Sequence, residues 1–409
     1  MKKNKPWSLI VIGGGAAGLA AAVSAAELGD KVLILEAQDK VGKKILASGN
    51  GRCNLMNSGK LDYYGDSLFA ARVFECLTRK EIAEFWHQHG LPLSNEEERI
   101  YPGTFQAQSV LLCLKTSLSL LSVTVQCSAS VQNIEKTSDG FIVRHSSGVD
   151  YASRILIASG GAAQPRLGGN FDGYEWLKQF GHTIHPLSPS LVPLITDHKT
   201  ISGLTGIRVR CRIRFLVDGK EKHSEEGELL FTDYGVSGIC AMQMGRFIRP
   251  NGVLEIHFLH RWFHHPSEVI QELRRRKQLF PSMTPDFLLN GYLLPKVSFA
   301  VCKQAGLEMR GETISELTDE ELMAVSVTAC RYRIPVLGTK GFHEAQVTAG
   351  GAYPEEFFPD TLESKLCPGL YAAGEILDVD GGCGGFNLMF AFASGILAGR
   401  NGRNLVRGK

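Results

Sequence analysis

Residues 8–36, SLIVIGGGAAGLAAAVSAAELGDKVLILE, limit what this chain can fold into more than any other stretch. Residues 9–12 are an apolar run short enough for a buried parallel strand. Gly13, Gly15 and Gly18 then spell G-x-G-x-x-G and open an alanine-rich helix running to about Leu28, with Gly29 placed as its C′ glycine. A second strand over residues 31–35 ends at Glu36. Gly13 permits a tight turn, Gly15 lets a pyrophosphate approach the backbone, and Gly18 lets helix and strand pack closely. The first-turn amides, around Ala16 and Ala17, and the positive helix end then face the phosphates. Glu36, followed by Ala37, stands where a carboxylate accepts hydrogen bonds from a ribose. An ordinary βαβ unit also has a glycine turn, but the full order of strand, glycines, helix, strand and acid favours a dinucleotide site.

With 409 residues the chain can form two domains, or one domain carrying an insertion. Its 44% hydrophobic and 21% charged content fits a soluble globular protein. A formal net charge of +2 is too small to point to nucleic acid. Lys2, Lys3 and Lys5 ahead of an apolar run imitate a secretory signal, but the glycine turn and return strand account for that run better. No stretch is long and apolar enough to expect a membrane span. Ten cysteines without a C-x-x-C pair fit reduced thiols and a cytoplasmic location. Cys53 and Cys383 lie in glycine-rich motifs and read as small packed residues ahead of a redox pair.

Further along, residues 37–57 are too glycine-rich and polar to be helix or strand throughout. There Lys43 and Lys44 are placed to reach phosphates, and Ser48-Gly49-Asn50-Gly51-Arg52-Cys53-Asn54 frees the backbone to curl against a ligand. The apolar spacing predicts one helix over 68–90, another over 107–121, and a parallel strand over 123–126. A hairpin follows around Asp139-Gly140, then a short strand near 150–152 and a separate one over 154–158 running into Ser159-Gly160-Gly161. A parallel sheet interrupted by a small antiparallel meander fits a two-dinucleotide-binding-type flavoprotein. No second G-x-G-x-x-G follows a strand, so a separate nicotinamide domain is not expected. The composition changes near Pro186. Short alternating strands are expected over 190–260 and mainly helices over 266–335. The division is therefore 1–187 as the first part of the nucleotide domain, 188–338 as an insertion, and 339–409 as its second part.

Arg274-Arg275-Arg276-Lys277 shares its helix with Glu268 and Glu272, and no aromatic-interleaved RNA motif accompanies it. It reads as a solvated basic helix end, and no nucleic-acid partner is expected. His260, His264 and His265 lack a convincing second ligand pair, so no metal is expected. Toward the C-terminus, residues 346–352 are strand-like and end in glycines that include Gly350. Residues 369–375 read as the last parallel strand, ending at Gly374-Glu375. Asp378 and a glycine loop with Gly384 and Gly385 lead into a helix over 386–399. The start of that helix carries unpaired N–H groups and a positive end, which suits the anionic edge of a reduced flavin, with Asn387 adding a contact.

These motifs together resemble the HI0933-like family of FAD-dependent oxidoreductases, which includes bile-acid reductases of the BaiN type. The resemblance runs the length of the chain. It rests on GGGAAG, KKILASGNGRCNLMN, PSLVPL, GELLFTDYGVSG, EAQVTAGGA and GLYAAGEILDVDGGCGGFNLMFAFASG. It implies an α/β fold: a two-dinucleotide-binding-type FAD domain, Rossmann-like, with an inserted β-barrel plus helical subdomain. The family's FAD contacts carry over to Gly13, Gly15, Gly18, Glu36, Lys43, Lys44, the SGNGRCN loop, the Val131 backbone, Glu375, Asp378, Asn387 and Leu388. Ser159, Gly160, Gly161, Gly350, Gly374, Gly384, Gly385 and Phe386 complete the expected set. Ile239-Cys240 stands where Gly-Pro is common, Phe386 where Tyr is, and Phe390 where Trp is. These departures bear on substrate choice more than on FAD.

The expected activity is a flavoprotein reductase acting on CH–CH groups, with non-covalent FAD and transient NAD(P)H. Hydride passes from nicotinamide to flavin N5 and on to the β-carbon of an enone, while a protein acid protonates the α-carbon. The resemblance suggests a bile-acid-like 3-oxo steroid as one small organic acceptor. Arg52, Arg333 and His343 are the acid candidates, histidine being the easiest acid by pKa. The alternative is an FAD-dependent RNA-modification or RNA-associated protein using the basic insertion.

Overall fold

The computed structural model describes residues 6–401 except 308, 310 and 312. The chain divides into two compact units, Met1–Ser188 with Gln346–Lys409, and Pro189–Ala345.

Strand β1 (Trp7–Ile12) and strand β2 (Val32–Leu35) pair in parallel, Leu9 opposite Val32 through Ile12 opposite Leu35. Every residue of β2 is buried, as expected of a parallel strand covered on both faces. Helix α1 (Ala16–Glu27) joins them and buries nine of its residues, mostly alanines that let it lie close to its neighbours. A short helix, α2 (Lys43–Ala47), interrupts the loop that follows. The single helix expected over 68–90 is two: α3 (Ser67–Cys76) and α4 (Arg79–Gln88). Leu77 and Thr78 are both extended, and Thr78 caps α4 reciprocally with Glu81. That capping box was legible as Thr-x-x-Glu, but apolar spacing that ran across the break concealed it.

Helix α5 (Ala107–Leu120), strand β3 (Thr124–Gln126) and the hairpin of β4 (Val131–Thr137) and β5 (Gly140–His145) follow. The two short strands expected near 150–158 are one ten-residue strand, β6 (Gly148–Ile157). It stays continuous because it changes partner without changing direction. Its first half pairs antiparallel with β5, while residues from Ala152 onward pair in parallel with β1. Helix α6 (Asp172–Gln179) precedes the insertion.

In the inserted unit, β7 (Leu194–Thr196), β8 (Arg208–Val217), β9 (Lys220–Phe231) and β10 (Gly235–Ser237) lead into α7 (Ile239–Met244) and β11 (Val253–His257). Three helices follow, α8 (Pro266–Leu279), α9 (Pro295–Gln304) and α10 (Asp319–Cys330), and then β12 (Tyr332–Thr339). The strands close a barrel in the order β7-β10-β9-β8-β11-β12. Cys211, Ile213 and Phe215 of β8 point into its core, alternating with arginines outside. The end of the stretch expected to be helical is a barrel strand instead. Tyr332, Ile334 and Val336 are buried between exposed Arg333, Pro335 and Leu337, a period of two that excludes a helix.

The chain then returns to the first unit. β13 (Leu370–Ala372) pairs in parallel with the second half of β6, completing a seven-stranded sheet whose path is β3-β2-β1-β6-β5-β4. Helix α11 (Phe386–Arg400) packs directly on α1. A Cβ on Gly395 would fall 2.3 Å from the Ala17 carbonyl oxygen, and one on Gly399 2.3 Å from that of Ala21. The two helices therefore run parallel with their backbones in contact. Among the described residues no helix is long and apolar enough to cross a membrane.

Candidate functional site

Three glycines of the first turn meet three different surroundings. Gly13 has φ +107°, and a Cβ there would sit 2.4 Å from the Ala158 carbonyl oxygen of the crossing chain. A Cβ on Gly18 would sit 2.0 Å from the Gly13 carbonyl oxygen. A Cβ on Gly15 would meet nothing within 4 Å. Gly15 is also the N-cap of α1, contributes no side-chain cap, and precedes a first turn without acidic residues. The first-turn amides, including those of Ala16 and Ala17, have no partner within the helix, and the place a Cβ of Gly15 would take beside them is open. Glu36 stands at the end of β2 with both carboxylate oxygens fixed. Oε2 accepts from the Gly14 N–H and Oε1 from the Gln38 N–H, each at 2.7 Å, with Ala37 in between. Each oxygen keeps lone-pair capacity for a ligand hydroxyl. The Glu36 carbonyl accepts from the Ala129 N–H, which brings the buried start of β4 at Val131 close by.

The loop after α2 is wound left-handed: Gly49, Asn50, Gly51 and Cys53 all have positive φ. The Ser48 hydroxyl donates to the Ile45 carbonyl at 2.7 Å and starts this turn. Burial pushes the Cys53 thiol up to about 11, so it stays protonated and serves as packing. Arg52 leaves the loop: its guanidinium lies 2.7 Å from Glu96 and over the rings of Tyr101 and Phe105, at 4.5 and 4.8 Å. The hydrogen bond to Glu96 raises its pKa further, which makes it a still poorer acid. Asn54 is buried with Oδ1 unpartnered, 2.5 Å from where a Cβ on Gly385 would lie.

A second group assembles around Glu375. Its Oε1 accepts from the Thr348 N–H at 2.8 Å, and its Oε2 lies 3.4 Å from Lys44 Nζ. A Cβ on Gly161 would stand 2.6 Å from Glu375 Oε1 and 2.5 Å from the Thr348 hydroxyl. Gly160, with φ +72°, faces Lys44 and Glu375, and the neighbouring Ser159 hydroxyl is buried without a partner. Lys43 stands apart from this group, its ammonium 2.5 Å from Asp39 and 3.0 Å from Gln38 Oε1. Gly350 and Gly374 serve close packing: a Cβ on Gly350 would lie 2.2 Å from the Pro186 carbonyl oxygen, and one on Gly374 2.9 Å from Ala17 Cβ. Asp378 is buried and pairs with His185 Nδ1 at 2.6 Å.

At the start of α11, Gly384 and Gly385 have φ +137° and +101°. Asn387 folds back on the loop, its Oδ1 accepting from the Gly381 N–H and its Nδ2 donating to the Gly381 carbonyl, both at 2.8 Å. The Phe386 carbonyl accepts from the Tyr63 hydroxyl at 2.8 Å, while Leu388 packs on the core. Since Gly395 lies beside Ala17, Phe386, nine residues earlier, stands about 13 Å back toward the N-terminal end of the shared axis at 1.5 Å per residue. The two positive helix ends thus point the same way, offset along their shared axis. The open space at Gly15 and the unpartnered oxygens of Asn54 and Ser159 suit a dinucleotide laid between them. Thr348 and Tyr63 hold groups of this site, Glu375 and the Phe386 carbonyl, and escaped the sequence reading because their partners lie far away in the chain.

Arg333 and His343 lie in the inserted unit on different elements. Arg333 is on the outer face of β12, with Nε 3.0 Å from Glu255. Burial pushes the Glu255 carboxyl up, but Arg214 and Arg333 outweigh that and hold it below its ordinary value. His343 is exposed in the turn after β12. Among the described residues no group of three or more His, Cys, Asp or Glu could hold a metal ion.

The profile described as the HI0933-like protein Rossmann domain matches residues 7–401. The 3-dehydro-bile acid delta(4,6)-reductase of Clostridium scindens is 35% identical over 404 residues, covering 95% of this chain and 97% of that protein. The ribosomal RNA dihydrouridine synthase of Escherichia coli is 27% identical over 392 residues, covering 95% and 96%. Among solved structures, the open conformation of a flavocytochrome c3 fumarate reductase shares the fold. Its TM-score is 0.50 at 14% identity, over 98% of this chain and 78% of that one.

Proposed function

The chain belongs to the HI0933-like family, and on that premise we propose that it is an FAD-dependent reductase of a C=C bond conjugated to a carbonyl, drawing electrons from NAD(P)H. The observation that carries this reading is the pair of glycine-opened helix starts, α1 and α11, pointing the same way and offset along their shared axis. Bound there without a covalent link, FAD supplies a carrier that takes hydride from reduced nicotinamide and delivers it to the β-carbon of an acceptor. The amides of α1 bind the pyrophosphate, and Glu36 holds the adenosine ribose. Lys44 beside Glu375 sets charge at the middle of the site. The start of α11 faces the flavin edge that gains negative charge on reduction.

The relatives' names guide the acceptor. One names a delta(4,6)-reductase and the other a dihydrouridine synthase; both denote saturation of a C=C bond. The higher identity favours a 3-oxo-steroid-like enone. The RNA reading is favoured by the dihydrouridine synthases, at 27% and 28% identity. Against it, the basic run of α8 is engaged within its own unit, two carboxylates offsetting part of its charge. Arg274 pairs with Asp319, Arg275 and Arg276 share Glu272, and Lys277 donates to the Leu317 carbonyl. The outward arginines Arg208, Arg212 and Arg214 likewise meet glutamates of β9. In this reading the inserted unit sets acceptor choice.

The test is anaerobic oxidation of NADH or NADPH by the purified protein, with a 3-oxo-Δ4 steroid acid in one arm and unmodified ribosomal RNA in the other. Oxidation coupled to the steroid supports the proposal. Oxidation coupled to RNA alone transfers the chain to the second reading.

A further inference from the structure

We propose that Asn57 is a positioning residue that aims the start of α11 at the bound flavin and so sets how readily the flavin is reduced. The inference rests on the FAD reading above and names a residue that reading does not use. Asn57 is 5% exposed and closes the two-residue strand Met56–Asn57, which pairs with residues 99–100. Both halves of its amide are engaged. Nδ2 donates to the Gly384 carbonyl at 2.9 Å, and Oδ1 accepts from the Gly59 N–H at 2.7 Å. The far side of this turn is anchored as well, since Arg79 donates to the carbonyls of Ser58 and Gly59 at 2.9 and 2.6 Å. Asn57 is therefore a fixed post set from α4.

What it holds is otherwise loosely determined. Gly384 and Gly385 both have positive φ, and two consecutive glycines have the widest choice of conformation a chain offers. In a planar trans peptide the C=O and the following N–H point in opposite directions. Fixing the Gly384 carbonyl on Asn57 therefore points the Gly385 N–H the other way, ahead of the orphan amides of the first turn of α11. Asn387 pins the loop at Gly381 and Tyr63 holds the Phe386 carbonyl, so Asn57 is the side chain that fixes the Gly384–Gly385 peptide between them. Contact along this seam is close: a Cβ on Gly385 would stand 2.7 Å from the Met56 carbonyl oxygen. Only a side chain that donates and accepts at once fills this place. Aspartate would turn an acceptor toward the Gly384 carbonyl, and leucine would engage neither group.

A displaced amide and helix end would stabilise negative charge on reduced flavin less, while leaving the phosphate and ribose contacts at α1 and Glu36 intact. The experiment compares the native protein with Asn57→Leu and Asn57→Asp, measuring FAD dissociation constant, melting curve and midpoint potential. Both variants should bind FAD close to native affinity. In the leucine variant the balance of reduced over oxidised flavin should fall about tenfold, or about 30 mV for the two-electron couple, and in the aspartate variant further. Native-like potentials in both flavin-loaded variants overturn the proposal. So does loss of folding, or of FAD from a folded chain, in both variants, since Asn57 would then serve the fold or binding alone. Native protein that takes up no FAD instead defeats the underlying reading, whatever the variants do.

Discussion

Gly15 and Gly18 are the same residue type three positions apart, yet a single methyl group should separate their roles. Gly15→Ala places its Cβ in open space at an ordinary negative φ. It should change the stability of the flavin-free protein by about 1 kcal/mol or less, the scale of an N-cap substitution, while weakening FAD binding. Gly18→Ala drives its Cβ into the Gly13 carbonyl oxygen and should cost about 1–3 kcal/mol of stability before any ligand is added, as overpacking does. Thermal melts with and without FAD check both. Glu36→Ala should lower FAD affinity by about 1.5–3 kcal/mol, a charged hydrogen bond, read by titrating the flavin-free protein. At this scale the sequence was most legible where chemistry and spacing are local. The three glycines and Glu36 fall within one short stretch, so the turn could be read from the residues alone. Asn57 with Gly384, and Thr348 with Glu375, are contacts between segments that nothing in a single sequence links.

Elements were legible where one helix-forming run was unbroken, as in α1, α5 and α11. They were misread where tertiary partners decide. The break between α3 and α4 depends on a cap, and β6 is held as one strand by partners on both edges. β12 takes its alternation from closing a barrel on β7, where Leu194 pairs with Thr339, 145 residues later in the chain. The contact of α11 on α1 offers a test at this scale, because it sets how far apart the two helix starts lie. Gly399→Ala would press a Cβ against the Ala21 carbonyl oxygen and should destabilise the first unit by about 1–3 kcal/mol. Differential scanning calorimetry of the full chain should show that loss, with the transition of the inserted unit unchanged.

For the whole molecule, buried histidines set the response to acid. Burial pushes His257 down to about 4 and also lowers His89 and His182 from 6.5. An unfolded chain protonates these rings near 6.5, whereas in the fold His257 gains its proton only near 4. Between those values the unfolded state binds more protons, so the stability His257 contributes is intact above 6.5 and is lost as pH falls toward 4, with His89 and His182 acting in the same direction. Melting temperature should drop across that window, and His257→Leu should shallow the drop for the inserted unit. A native-like acid limb in that variant would contradict the assignment. The division into a nucleotide-binding unit and an inserted barrel with helices carries the larger claim, that electrons held in the first unit leave to a conjugated C=C bond. A single-turnover experiment tests this most directly. The FAD-loaded protein is reduced photochemically without oxygen, mixed with one equivalent of a 3-oxo-Δ4 steroid acid, and followed by flavin absorbance and product mass. The account predicts that the oxidised flavin spectrum returns with one saturated product per flavin; flavin that stays reduced while the enone persists would contradict it.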